Sequence, residues 1–302
     1  MSPYLTPEWL EVEKKLGGRL VLGGTMENYR AGGEAIAKYI KAHLPPPRDD
    51  GLEVADERVN ENVAVRTYKP KGSNGSLPIG VFCHGGGFSD GSIAMEDEYR
   101  LTPAVDIKVV FQDAFDGFSW SYENASNLGG DQKRVFMLGS SCGGTLSLGT
   151  AHRLLELGRD GQLKGVINMA GGTVHEGNVP KHLQHLMRSM EENATDVPII
   201  DGQTAKMINA STGLDKHADD EWLFPLLSSH LARFPPTYLV ACGADPLRDD
   251  NVAMEHEIRS KGVKVKLELY EGLPHVFWMF PTLSATKTFI GNLLAGIKFI
   301  LE

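Results

Sequence analysis

The pentapeptide Gly139-Ser140-Ser141-Cys142-Gly143 has the form G-x-S-x-G, with Ser141 at its centre. A serine hydroxyl is a weak nucleophile until a neighbouring base takes its proton. A strained turn between strand and helix lifts such a hydroxyl clear of a sheet edge, and flanking glycines leave room for that approach. The N-terminus of the helix that follows favours developing negative charge. Ser140 points elsewhere in such a turn and reads as structural. In a chain with 34 glycines the pattern alone is weak, because a Gly/Ser-rich turn matches it by chance. Its position carries the weight: the apolar run 135–138 precedes it and a helical pattern, 142–157, follows.

Three other loops supply what a serine nucleophile needs, and each follows an apolar run. In VFCHGGGFSDG, 81–91, glycines let backbone amides approach an oxyanion closely. CGADPLRDD, 242–250, offers Asp245 as the orienting carboxylate, and YEGLPHVFW, 270–278, offers His275 as the base. The chain order Ser141, Asp245, His275 is that of a serine hydrolase built on a parallel sheet. Asp249 and Asp250 are alternatives to Asp245, but they open a predicted helix, where acidic residues are ordinary. His182 and His185 lie three apart with no third ligand nearby, so no metal is expected. Neither phosphate-binding glycine pattern occurs, and no cofactor is expected.

These loops need a sheet to hold them. Short β-type runs occur at 52–59, 63–69, 79–83, 107–111, 134–138, 165–169, 237–242 and 264–270. Several are continuously apolar, as strands covered on both faces must be. Helical patterns at 113–125, 142–157, 250–261 and 283–301 alternate with the later ones. The expected fold class is α/β, a mostly parallel eight-stranded sheet flanked by helices. Helices are also expected at 6–16 and 26–43, and the proline run at 44–51 ends the second. Segment 173–233 breaks the alternation and reads as an insertion. With residues 1–45 it would form a helical cap over a single domain, 1–302.

The chain of 302 residues is 41% hydrophobic, enough for a large core, and carries a net charge of -9. That charge disfavours nucleic acid or an anionic membrane surface as partner. No run of about 18 apolar residues predicts a membrane span. Three cysteines, Cys83, Cys142 and Cys242, form no C-x-x-C pair and read as reduced and buried. No secretory leader is evident, so a cytoplasmic location is expected.

HGGGF, GSSCGG, DPLRDD and GLPHVFW together resemble the hormone-sensitive-lipase branch of the α/β-hydrolases, over roughly residues 50–302. In overall character the chain is similar to fungal esterases of polyketide metabolism. The resemblance implies a carboxylic ester hydrolase acting on a small-molecule ester, with Ser141 as nucleophile, His275 as base and acid, and Asp245 as orienting carboxylate. It places the oxyanion hole at the amides of Gly86, Gly87 and Cys142, with His84 and Gly85 bracing the glycine loop. Phe88, Trp222 and Trp278 are candidate substrate contacts, and a homodimer is a possible assembly.

Two departures from the family stand out. Cys142 replaces a smaller residue beside the nucleophile, which leaves its amide in place and narrows the acyl pocket. The chain is also short between Phe88 and Trp120, where the family carries a helix and a further strand. Either YRLTP, 99–103, is the family's loop and that strand is missing, or 93–105 is a helix and 107–111 the strand. The second reading is preferred here, because it leaves no unpaired edge within the sheet. Three other functions remain open: acyl transfer, lactone hydrolysis or polyketide release by the same groups. A non-catalytic ligand-binding protein on this scaffold is a further alternative, disfavoured by the presence of His275.

Overall fold

Apolar runs buried on both faces assemble into one parallel sheet. The computed structural model describes residues 5–44, 51–73, 76–91 and 99–302. In chain order the elements are α1 (Pro7–Leu16), α2 (Met26–His43), β1 (Leu52–Arg58), β2 (Ala64–Pro70), β3 (Leu77–Cys83), α3 (Ile107–Glu123), β4 (Gly130–Ser140) and α4 (Cys142–Glu156). They continue with β5 (Val166–Met169), α5 (Ser189–Glu192), α6 (Gly202–Thr212), β6 (Thr237–Ala244), α7 (Arg248–Ser260), β7 (Val265–Pro274) and α8 (Ser284–Leu301). Strands β3 to β7 lie side by side in sequence order and all run parallel.

Helices cover both faces of this sheet. On one side Phe111 and Phe118 of α3, Leu146 and Leu154 of α4 and Met254 of α7 are buried in one core cluster. On the other, Trp9 of α1, Ile300 of α8, Tyr238 and Phe280 belong to a second. The ring edge of Trp9 meets Phe280 at 4.9 Å between centroids, which ties the N-terminal helix to the loop after β7.

The expected eight-stranded sheet is corrected to a five-stranded one with a separate antiparallel hairpin, β1–β2. Residues 107–111 are the first turns of α3, not a strand. Ile107, Val110, Phe111, Ala114, Phe115 and Phe118 bury one face at helical spacing, and the Asp106 side chain caps the start by accepting from the Lys108 amide. Helical spacing sustained over the seventeen residues of α3 overrides the local β-branched run. The expected helix 93–105 lies partly outside the described residues, and 99–105 is turn and irregular backbone. The proline run of 44–51 also lies largely outside them. With no strand between them among the described residues, β2 and β3 flank a cleft of about 690 Å³, lined by Val65, Thr67 and Lys69 on one side and Ile79 and Val81 on the other.

The segment 173–233 holds α5, α6 and several single helical turns, with no strand among the described residues. The N-terminal segment joins it: the Leu22 amide donates to Ile199 O, and the Ile199 amide to Leu20 O. No helix among the described residues is long and apolar enough to cross a membrane.

Candidate active site

All four candidate loops leave the carboxyl ends of neighbouring parallel strands, where side chains from distant sequence converge. Ser141 follows β4 directly, with φ 54° and ψ −128°. This is a strained conformation for a residue with a side chain. Two glycines make it attainable: a Cβ on Gly139 would stand 2.1 Å from Gly143 O, and one on Gly143 would stand 2.0 Å from Cys83 O. The Ser141 amide donates to Met169 O of β5 at 2.7 Å, which holds the turn against the next strand.

Ser141, His275 and Asp245 form one hydrogen-bonded chain. His275 Nδ1 is 2.7 Å from Asp245 Oδ2, and His275 Nε2 is 2.8 Å from Ser141 Oγ. The acceptor-only carboxylate sets the tautomer, so Nδ1–H donates to Asp245 and Nε2 accepts from the serine hydroxyl. Asp245 is fully buried, and its other oxygen accepts from the Leu247 amide at 2.9 Å. His275 is buried too, followed by Val276 at φ 49° in the turn after β7.

The glycine loop after β3 faces the same point. Gly86 and Gly87 have φ of 126° and 59°, and a Cβ on Gly86 would stand 2.0 Å from Asp90 O. Among the described residues, the amides of Gly86, Gly87 and Cys142 donate to no backbone acceptor. His84 Nδ1–H donates to Gly85 O at 2.6 Å, and its ring stacks on Tyr99 at 4.2 Å. Burial lowers the His84 pKa and keeps the ring neutral. Cys142 does more than the sequence reading assigned it. Its Sγ accepts from the Phe88 amide at 3.3 Å, so the thiol beside Ser141 holds the glycine loop.

A cavity of about 450 Å³ opens on Ser141, Cys142, Gly87 and Phe88, roofed by residues of 173–233 such as Val179, Met187 and Ile208. Phe88 therefore meets the cavity, whereas Trp222 and Trp278 do not. Trp222 packs edge-on against Phe111 and under the Arg153 guanidinium, behind α4. Trp278 stacks on Phe289 of α8 at 4.5 Å. Both rings pack within the fold, and neither lines this cavity.

Three residues with a place in the site went unassigned in the sequence. Tyr29 of α2 reads as one member of an apolar helix face, yet it lines the cavity. Asp249 and Asp250 read as caps of their own helix, but they tether the insertion instead. Asp249 Oδ2 accepts from the Arg188 and Ser189 amides, and Asp250 Oδ1 from the Thr173 and Val174 amides at 2.7 and 3.2 Å. Asp250 also lines the cavity. His182 faces Glu257 at 2.9 Å, and no group of three metal-ligating side chains occurs among the described residues.

Residues 95–279 match the family model described as the alpha/beta hydrolase fold. A versiconal hemiacetal acetate esterase of Dothistroma septosporum is 35% identical, the alignment covering 100% of this chain and 97% of that one. The enzyme of the same name from Aspergillus parasiticus is 27% identical, with 99% of each chain covered. Among solved structures, vibralactone cyclase superposes with a TM-score of 0.87 at 25% identity, over 99% of this chain and 96% of that chain. The full-length likeness and the matched model agree with the sheet and its loops: the chain belongs to the α/β-hydrolase family, in its serine ester hydrolase branch.

Proposed function

We propose that the chain hydrolyses small or medium acyl esters through an acyl-enzyme on Ser141, and that its substrate is a fungal secondary metabolite. The hydrogen-bonded chain Ser141–His275–Asp245, whose Ser141 lines the cavity, carries this reading. His275 Nε2 takes the serine proton as Oγ attacks the ester carbonyl, and Asp245 steadies the imidazolium that forms. The amides of Gly86, Gly87 and Cys142 receive the oxyanion, aided by the N-terminus of α4. His275 then returns the proton to the leaving alcohol, and water repeats the cycle on the acyl-enzyme. None of these steps calls for a cofactor. The likeness to versiconal hemiacetal acetate esterases supports an acetyl-sized acyl group on a larger alcohol.

Ser141→Ala tests the reading. Removing the nucleophile of such a site lowers turnover on the order of 10⁶-fold. Hydrolysis of p-nitrophenyl acetate should vanish, together with stoichiometric labelling by a fluorophosphonate. A variant that keeps most of its activity overturns the assignment.

The likeness to vibralactone cyclase favours a second reading, in which a hydroxyl of the acyl group captures the acyl-enzyme in place of water. Product analysis on hydroxyacyl esters separates the two: a free acid supports hydrolysis and a lactone supports cyclisation.

A further inference from the structure

Two polar side chains of buried residues line the cavity, each with an atom that has no protein partner among the described residues. Tyr29 is 7% exposed, yet its hydroxyl makes no hydrogen bond among the described residues. That hydroxyl lies 3.3 Å from where a Cβ on Gly87 would stand, so it sits beside the glycine loop. Asp250 is 4% exposed. Its Oδ1 is held by the Thr173 and Val174 amides, which fixes the carboxyl plane, while Oδ2 has no donor among the described residues. The two residues come from different walls, Tyr29 from α2 and Asp250 from the start of α7. Much of the remaining lining is apolar: Phe88, Val174, Val179, Ile200, Ile208 and Leu214.

Water satisfies such atoms while the cavity is empty of substrate. A bound ester displaces that water. If its body is plain hydrocarbon, both atoms are left buried and unpaired, and the complex is weakened. A body with hydroxyl groups restores both bonds. Sites built to hydrogen-bond a substrate hydroxyl discriminate strongly against analogues lacking it, because the site's own groups are stranded.

We propose that this cavity selects esters whose alcohol part carries hydroxyl groups, with the Tyr29 hydroxyl donating to one substrate oxygen and Asp250 Oδ2 accepting from another. The inference rests on the esterase reading and narrows its substrate class. Tyr29 and Asp250 act here as specificity residues and take no part in proton transfer to or from the ester.

The test compares benzyl acetate with 3,5-dihydroxybenzyl acetate, which share acyl group and scissile bond. At pH 8, where the Asp250 carboxyl is ionised and Oδ2 can accept, the full chain should favour the dihydroxy ester in kcat/KM by about tenfold or more. Tyr29→Phe and Asp250→Asn should each reduce that ratio severalfold, the second while keeping an acceptor for the Thr173 and Val174 amides. The ratio cancels any general loss of active protein, so a damaged fold does not mimic the result. A wild-type ratio near one, or a ratio unmoved in both variants, overturns the inference while hydrolysis of benzyl acetate upholds the esterase. No turnover of either ester and no fluorophosphonate labelling overturns both.

Discussion

Asp250→Asn should stabilise the protein, and by more at alkaline pH than at acid pH. Burial pushes the Asp250 carboxyl up from its ordinary 3.8 to about 7, against the pull of the Thr173 and Val174 amides, and the nearby Asp245 and Asp249 charges add to the rise. Between pH 4 and pH 7 the folded chain holds this proton while the unfolded chain has released it. Stability therefore falls as pH rises through that window. From these two values, the raised carboxyl costs the fold about 2 kcal/mol at pH 5 and about 4 kcal/mol at pH 8. Asparagine carries no such cost and keeps the Oδ1 acceptor. Its other effects, including the altered cavity wall, are the same at both pH values and drop out of the difference. The stability gap between variant and wild type should thus widen by about 2 kcal/mol from pH 5 to pH 8, or roughly 5 °C in Tm. Urea unfolding at the two pH values measures it. A gap that stays constant, or that widens toward acid, would refute the assignment of a proton held by the buried carboxyl.

The same geometry yields three further expectations. Cys142→Ala strands the Phe88 amide that now donates to Sγ, so the glycine loop should loosen, with kcat falling about tenfold and KM changing less; Cys142→Ser should recover part of the loss, and unchanged kinetics would show that the thiol does not hold the loop. Arg100→Ala removes two bonds to the buried Asp113 carboxylate, from Nε at 2.9 Å and Nη2 at 2.8 Å, and should cost about 3 kcal/mol in urea unfolding. Amides of β1 and β2, which pair only with each other among the described strands, should exchange with deuterium well before those of β4 to β6.

How much was legible in the sequence follows from how local each signal is. Ser141, Asp245 and His275 stand out because each sits in a turn directly after an apolar run, and chain order assigns their parts. The central strands β5 and β6 are readable for the same reason: burial on both faces forces continuous apolar runs. The run at 107–111 misleads because four residues of β-branched and apolar type carry no period of their own. Only the spacing through Phe118 reveals a helix. Trp222 and Trp278 fail as substrate contacts because sequence distance from the nucleophile or base says nothing about which way a ring turns. Tyr29 and Asp250 were hidden for the opposite reason. Each fits an ordinary local role, on an apolar helix face or in an acidic first turn, and only the tertiary fold brings them to one cavity.

The missing strand tests how far the site depends on the rest of the sheet. Phe88 O accepts from both the amide and the hydroxyl of Thr102, at 2.9 and 3.0 Å, so the chain has returned to the glycine loop by residue 102. Arg100 is anchored to α3 through Asp113, and Tyr99 donates to His84 O at 3.0 Å. Residues 99–102 thus remain at the carboxyl end of β3 and contribute no further strand. The far edge of β3 pairs with no strand among the described residues and faces the cleft beside β2. The site lies on the other side of that edge. Its glycine loop leaves β3, its serine leaves β4, and its carboxylate and imidazole leave β6 and β7; β4 and β6 are paired on both sides, and β3 and β7 are edge strands held by β4 and β6. Ser141, His275 and Asp245 are thus held together by loops of the five-stranded sheet, to which the β1–β2 hairpin does not belong. On this argument, truncation of the hairpin edge lowers stability first and alters hydrolysis only once β3 itself begins to open.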